Sequence, residues 1–158
     1  MSASTRFVRA VWRDFQRTKG HDANSFGHMV VKDAKPGKVW CEMKVESHQV
    51  NRLQGLHGGL IASLVDTMGS LALASRGMFM TGQAEKGSTG LSRKSHSYVR
   101  GAALGEDIRV RSELSAKTGK LLAYGSHTKY IADALKSQKN VKFDTEGETV
   151  VEGEEPKE

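Results

Sequence analysis

His57-Gly58-Gly59-Leu60-Ile61-Ala62-Ser63-Leu64-Val65-Asp66-Thr67-Met68-Gly69-Ser70-Leu71-Ala72-Leu73-Ala74-Ser75 is the stretch on which the fold turns. Leu60, Ile61, Leu64, Val65, Met68, Leu71 and Ala72 recur three or four residues apart and make one broad apolar stripe of a helix. Gly77 provides its C-terminal stop. No other element of the chain is as hydrophobic, so a sheet is expected to wrap around it. At its mouth, Gly58 and Gly59 let backbone N–H groups face a ligand without a side chain in the way. A helix N-terminus adds partial positive charge there.

Outward from this helix, residues 4–18 carry Phe7, Val11 and Phe15 on one helical face and Arg6, Arg9, Arg13 and Arg17 on the other. Such an Arg-rich amphipathic start also resembles a mitochondrial presequence. Asp14 interrupts that pattern, which favours a helix of the folded domain. Residues 26–32 and 38–45 are expected to be strands, joined in a hairpin by Asp33-Ala34-Lys35-Pro36-Gly37. After the central helix, strands are expected at 91–99, 108–114 and 121–130. One long helix among antiparallel strands defines an α+β domain over residues 1–131. Residues 132–158, Lys-rich and then acidic, are expected to be a disordered tail.

The chain of 158 residues is long enough for one domain with a real core. No apolar run reaches the roughly 18–20 residues that span a bilayer. The single Cys41 excludes an internal disulfide and fits a reducing compartment, cytoplasmic or mitochondrial. Its alternating surroundings make it a packing residue. The net charge of +6 conceals −5 over residues 141–158 and +11 over residues 1–140. A basic body favours anionic partners such as nucleic acid, an acidic membrane or a phosphate-rich small molecule. A helix-turn-helix, a zinc module and interleaved aromatics are all missing, so a basic nucleic-acid-binding domain ranks last and no nucleic acid is expected.

The glycine pair can polarise a carbonyl oxygen, and Asp66 is the nearest candidate for activating water, which makes a hydrolase hypothesis available. Neither metal-ligand spacing nor a Gly-x-Ser-x-Gly elbow is present, so no metal and no cofactor is expected. Gly59 and Asp66 lie seven residues apart, about 10 Å along one helix face. One helix therefore cannot bring both to the same carbonyl. Asp66 of one subunit facing the Gly58 amide of another satisfies the spacing.

Pro36-Gly37-Lys38-Val39, Cys41-Glu42-Met43-Lys44-Val45, Asn51, Leu56-His57-Gly58-Gly59-Leu60, Leu64-Val65-Asp66, Leu104-Gly105-Glu106-Asp107-Ile108 and Gly125-Ser126-His127-Thr128-Lys129 resemble, in order, the hotdog-fold acyl-CoA thioesterases. Within them they are most similar to the group of thioesterase superfamily member 2 and the phenylacetyl-CoA thioesterases. The resemblance covers roughly residues 5–130. It implies a hotdog fold, an acyl-CoA substrate hydrolysed to free acid and coenzyme A, and self-association as a homodimer, then a dimer of dimers. It also implies a catalytic set that maps onto Asn51, Gly58 and Asp66, with Asp66 as general base or nucleophile.

Two features depart from the family pattern. Leu91 occupies the position of a family serine, and Ser92, the remaining candidate, is one residue off, which in a strand is the opposite face. Gly125-Ser126-His127 follows Glu106 so closely that the sheet is expected to be about one strand short. These departures sustain a second reading, a hotdog protein that binds acyl-CoA or serves as an assembly module. His57, Gly59, Arg93, Lys94, Arg100 and Lys129 complete the set as substrate-binding candidates, the four basic residues on charge alone.

Overall fold

Leu64 and Leu71, both fully buried, lie in the long central helix, and the other elements are arranged around them. The computed structural model describes residues 1–79, 93–98, 107–110, 113–116, 121–128 and 134–156. In chain order these form α1 (Ala3–Arg17), α2 (His21–Phe26), β1 (Val30–Lys35), β2 (Lys38–Lys44), α3 (Gly58–Ala74), β3 (Arg93–Tyr98), β4 (Asp107–Val110), β5 (Glu113–Ala116), β6 (Leu121–Thr128), β7 (Lys142–Phe143) and β8 (Val150–Glu152). The first six strands make one antiparallel sheet, ordered β1-β2-β4-β5-β6-β3. Helix α3 packs on β2 near one edge and on β6 and β3 at the other, so the sheet curves around it. This is the α+β arrangement expected of a hotdog fold.

The span 108–114, expected as one strand, carries two. β4 and β5 pair with Ile108 opposite Ala116 and Val110 opposite Leu114. The sheet therefore has six strands among the described residues, and the shortage is one of length, four residues in each of β4 and β5. Ile108, Val110 and Leu114 keep an even spacing across 111–112, where neither Gly nor Pro marks a turn, so the pattern reads as unbroken. The strand expected from Phe26 also starts later. Phe26 closes α2 and is fully buried, its ring nearly parallel to that of Trp12 at 6.1 Å.

Helix α1 belongs to the core. Ser2 caps it through Thr5 N–H, and Phe7, Val8 and Val11 are fully buried. Its polar side chains close the outer edge of β1. Arg9 Nε donates to Val31 O at 3.0 Å, Ala34 N–H donates to Thr5 Oγ1 at 2.9 Å, and Trp12 Nε1 donates to Met29 O at 2.9 Å. An open strand edge invites foreign pairing, and here it is satisfied within the chain.

The acidic tail is not the disordered segment that its composition suggested. Val141 is buried and donates to Gly77 O at 2.9 Å, and Phe143 meets Phe7 edge-on at 5.7 Å. Ser4 and Ala3 at the start of α1 donate to Gly147 O and Glu148 O at 2.9 and 3.0 Å. Arg6 closes the contact on Glu155 with a two-pronged bridge, 2.8 and 3.2 Å. Residues 137–156 thus form a strap across the start of α1 and the end of α3. Three apolar side chains (Val141, Phe143 and Val150) and backbone carbonyls hold it, which outweighs the solvation of its carboxylates.

Asp144 organises the strap's turn. Its carboxylate accepts from Thr149 Oγ1 at 2.6 Å and from the amides of Thr149, Glu148 and Glu146 at 3.0–3.1 Å. The Thr149 hydroxyl first, then the Glu148 amide, hold its pKa below the usual aspartate value. A depressed carboxylate stabilises the fold above its unfolded pKa and loses that contribution as pH falls through the folded value. Amides of residues 146–149 are therefore expected to lose exchange protection as pH drops below the ordinary aspartate range, while those of α3 keep theirs. Cys41 is fully buried in β2, and burial pushes its thiol up to about 12, which makes it a packing group. Among the described residues, no helix is long and apolar enough to cross a membrane.

Candidate active site

The site is built at the entrance to α3. Residues 47–49 form a short 3-10 turn whose Gln49 is only 2% exposed. Gln49 Oε1 accepts from Glu46 N–H at 2.8 Å, and its Nε2 donates to Ser25 O at 2.6 Å. Its backbone carbonyl accepts from His57 N–H at 2.8 Å. One buried residue therefore ties α2, the incoming loop and the helix cap, the first two by its side chain and the last by its carbonyl. Nothing in the sequence singled out Gln49, because a lone glutamine in a polar loop carries no pattern.

Asn51 shapes the next turn. Its Oδ1 accepts from Leu53 N–H at 2.9 Å and Gly55 N–H at 3.3 Å, while its own amide donates to Gly55 O at 2.7 Å. Gln54 sits in the left-handed region, φ 60°, held by a 2.9 Å bond from its N–H to Asn51 O. With Oδ1 accepting from two amides, the Asn51 side chain is fixed in the turn it shapes.

His57 caps α3. Its Nδ1 accepts from Gly59 N–H at 3.0 Å, and its carbonyl takes the amides of Leu60 and Ile61 at 2.9 and 3.2 Å. The Gly59 amide is thereby committed to the cap, and Gly58, partly exposed, is the first residue of the helix proper. A side chain at Gly59 would place its Cβ 3.0 Å from the His57 ring, so the capping imidazole would have to give by a few tenths of an ångström.

Asp66, partly exposed, lies two turns further along α3 on the strip that includes Gly59, Ser63 and Ser70. Helix α2 flanks that strip. His21 Nε2 lies 2.8 Å from Ser63 Oγ, and Thr67 Oγ1 donates to Asp22 Oδ1 at 2.9 Å. The structure thus brings Asn51, His57, Gly58 and Gly59 together at the helix mouth and leaves Asp66 of the same chain down the helix. Arg93 and Lys94 fall in β3, opposite Thr128 and His127 of β6. Ser92, Arg100 and Lys129 lie outside the described residues. Among those described, no cluster of three or more His, Cys, Asp or Glu side chains is arranged to hold a metal ion.

A model of the thioesterase superfamily matches residues 53–126, from the loop before α3 into β6. The sequence is 32% identical to acyl-coenzyme A thioesterase 13 of Homo sapiens, over 84% of this chain and 100% of the relative. The chain belongs to the thioesterase superfamily. A Schizosaccharomyces pombe protein that carries the provisional name of an esterase is 38% identical, over 85% of this chain and 88% of its own. The crystal structure of thioesterase superfamily member 2 from Mus musculus superimposes with a TM-score of 0.65 at 31% identity, covering 84% of this chain and 100% of that one. As a member of this family the chain is a thioester hydrolase. Its α3 entrance carries a histidine cap and a Gly-Gly start.

Proposed function

We propose that this thioesterase hydrolyses acyl-CoA thioesters to a free acid and coenzyme A. The observation that carries the reading is the identity to acyl-coenzyme A thioesterase 13 across that protein's whole length. The charge of +11 over residues 1–140 suits a substrate bearing phosphates. Gly58 N–H and the α3 dipole stabilise the developing oxyanion, and Asn51 Nδ2 orients the thioester or the attacking water. Asp66 acts as general base, or as nucleophile through an anhydride. His57 and Gly59 hold the cradle's shape and border the substrate. Ser92 and the basic residues Arg93, Lys94, Arg100 and Lys129 complete the proposed contacts.

The site is proposed to be shared between two copies of the chain. Gly59 and Asp66 are about 10 Å apart along the axis, so a partner's Asp66 is needed at each cradle. The sheet edge favours this assembly. Side chains of α1 occupy the β1 edge, whereas among the described residues β3 ends the sheet on the other side. Leu53, 77% exposed at the tip of the Asn51 turn, adds an apolar rim that a partner or acyl chain would cover. A second pairing, giving a dimer of dimers, and a cytoplasmic or mitochondrial setting belong to the same reading.

Incubation with a medium- to long-chain acyl-CoA and a thiol-trapping reagent tests it. Thiol release by the wild-type protein is the expected result. Tight acyl-CoA binding without release would favour an acyl-CoA-binding assembly module instead. Retention on duplex DNA that falls steeply with salt, without release, would favour nucleic-acid binding.

A further inference from the structure

Gly58 and Gly59 have no side chains to restrain them, and a glycine pair is the least rigid way to build an oxyanion donor. In this chain the Gly59 residue is pinned from both sides. His57 Nδ1 accepts its N–H at 3.0 Å, and Ser63 Oγ donates to its carbonyl at 3.1 Å. Ser63 is held in turn by His21 of α2, whose Nε2 lies 2.8 Å from Ser63 Oγ, while Ser25 Oγ lies 3.3 Å from His21 Nδ1. The Ser63 hydroxyl has one proton. With that proton on Gly59 O, His21 must donate from Nε2 and accept from Ser25 at Nδ1, so one neutral tautomer satisfies the whole chain of bonds.

Neighbouring contacts make the latch rigid. Asp22, next to His21, takes the Thr67 hydroxyl at 2.9 Å one helical turn beyond Ser63. At the other end of α2, Gln49 Nε2 holds Ser25 O at 2.6 Å, and Phe26 is locked in the core. The six residues of α2 have no side-chain cap at Gly20 and depend on these contacts for their place. They put an imidazole donor beside the strip of α3 that carries Gly59 and Asp66.

From this geometry we propose that His21 is a positioning residue for the hydrolysis: through Ser63 it holds the Gly58-Gly59 turn in the shape that receives the oxyanion. The assignment rests on the acyl-CoA thioesterase reading for its kinetic consequence, though not for the pinning itself. Donors already aimed where charge develops need no reorganisation during the reaction, and small misplacements cost rate steeply. His21→Ala and Ser63→Ala should each lower kcat roughly tenfold with KM little changed. Because both act through one bond, the double variant should be no slower than either single one. His21→Gln, which keeps a donor and cannot titrate, should restore most of the lost rate. A purely structural role would give variants that lose melting temperature, with no rescue of kcat by glutamine.

Additive losses, or unchanged kcat in variants while Asp66→Ala abolishes turnover, would overturn the proposal. Should the wild-type protein release no thiol, the function reading fails, and the latch is decided by hydrogen exchange. Faster exchange of the Gly59 amide in His21→Ala then supports the pinning, and an unchanged rate refutes it.

Discussion

Asp66→Ala is expected to lower kcat for acyl-CoA hydrolysis by about 10²–10⁴-fold, the range for loss of a positioned base. At 1.36 kcal/mol for each tenfold, that is roughly 3–5 kcal/mol of transition-state stabilisation. Melting temperature, measured alongside, separates a loss of chemistry from a loss of fold. The donor side can be tested on the same helix. Gly58 is the first residue of α3, where proline is well tolerated, and His57 at φ −65° and ψ 131° already has the extended backbone that precedes proline. Gly58→Pro removes the proposed amide donor and should cost about 10²–10³ in kcat. Mixing the two variants then tests the shared site. If Asp66 serves a partner's cradle, an Asp66→Ala and Gly58→Pro heterodimer rebuilds one intact site and recovers part of the activity. If both residues served the same subunit's site, the mixture would stay inactive, and so would the cross-subunit reading. Asp66→Ala at wild-type rate would remove the base or nucleophile assignment altogether.

Much of this site was legible because its parts lie close in sequence around one strongly patterned element. The stripe from Leu60 to Leu71 needed no tertiary information, and Gly77 stops the helix with φ 88°. What supports the site was not legible. Gln49 and His21 are lone polar residues whose partners (Ser25, Glu46 and Ser63) are set by the packing of α2 on α3. The α2 helix is six residues long, too short for periodicity to register, and Phe26 is decided by Trp12. The division between β4 and β5 leaves no mark in the sequence because Ile108, Val110 and Leu114 keep an even spacing across it. The tail misled for a different reason. Seven acids in 141–158 dominate its composition, whereas its attachment depends on Val141, Phe143, Val150 and main-chain carbonyls that composition does not weigh.

Truncation after Ser137 is expected to lower the melting temperature by roughly 10 °C. Loss of buried Val141 and of the part-buried Phe143 and Val150 removes about 3–5 kcal/mol of apolar burial. At about 2–4 °C for each kcal/mol in a chain of this size, the shift is unmistakable. Two further losses add to it: Phe7 loses its edge contact with Phe143, and the α1 amides of Ala3 and Ser4 lose their carbonyl partners. Glu155→Ala separates the sources of that loss. It deletes only the partly exposed pair with Arg6, worth about 0–1 kcal/mol, and should move the melting temperature by no more than a few degrees. Gly77→Ala attacks the same joint from the other side. Its φ is 88°, and an added Cβ would stand 1.9 Å from Val141 O, so strap and helix end cannot both keep their places. Destabilisation comparable to the truncation is expected. If the chain ending at Ser137 melts within about 2 °C of the full protein, the strap is an appendage with no hold on α1, and residues 1–137 stand without it.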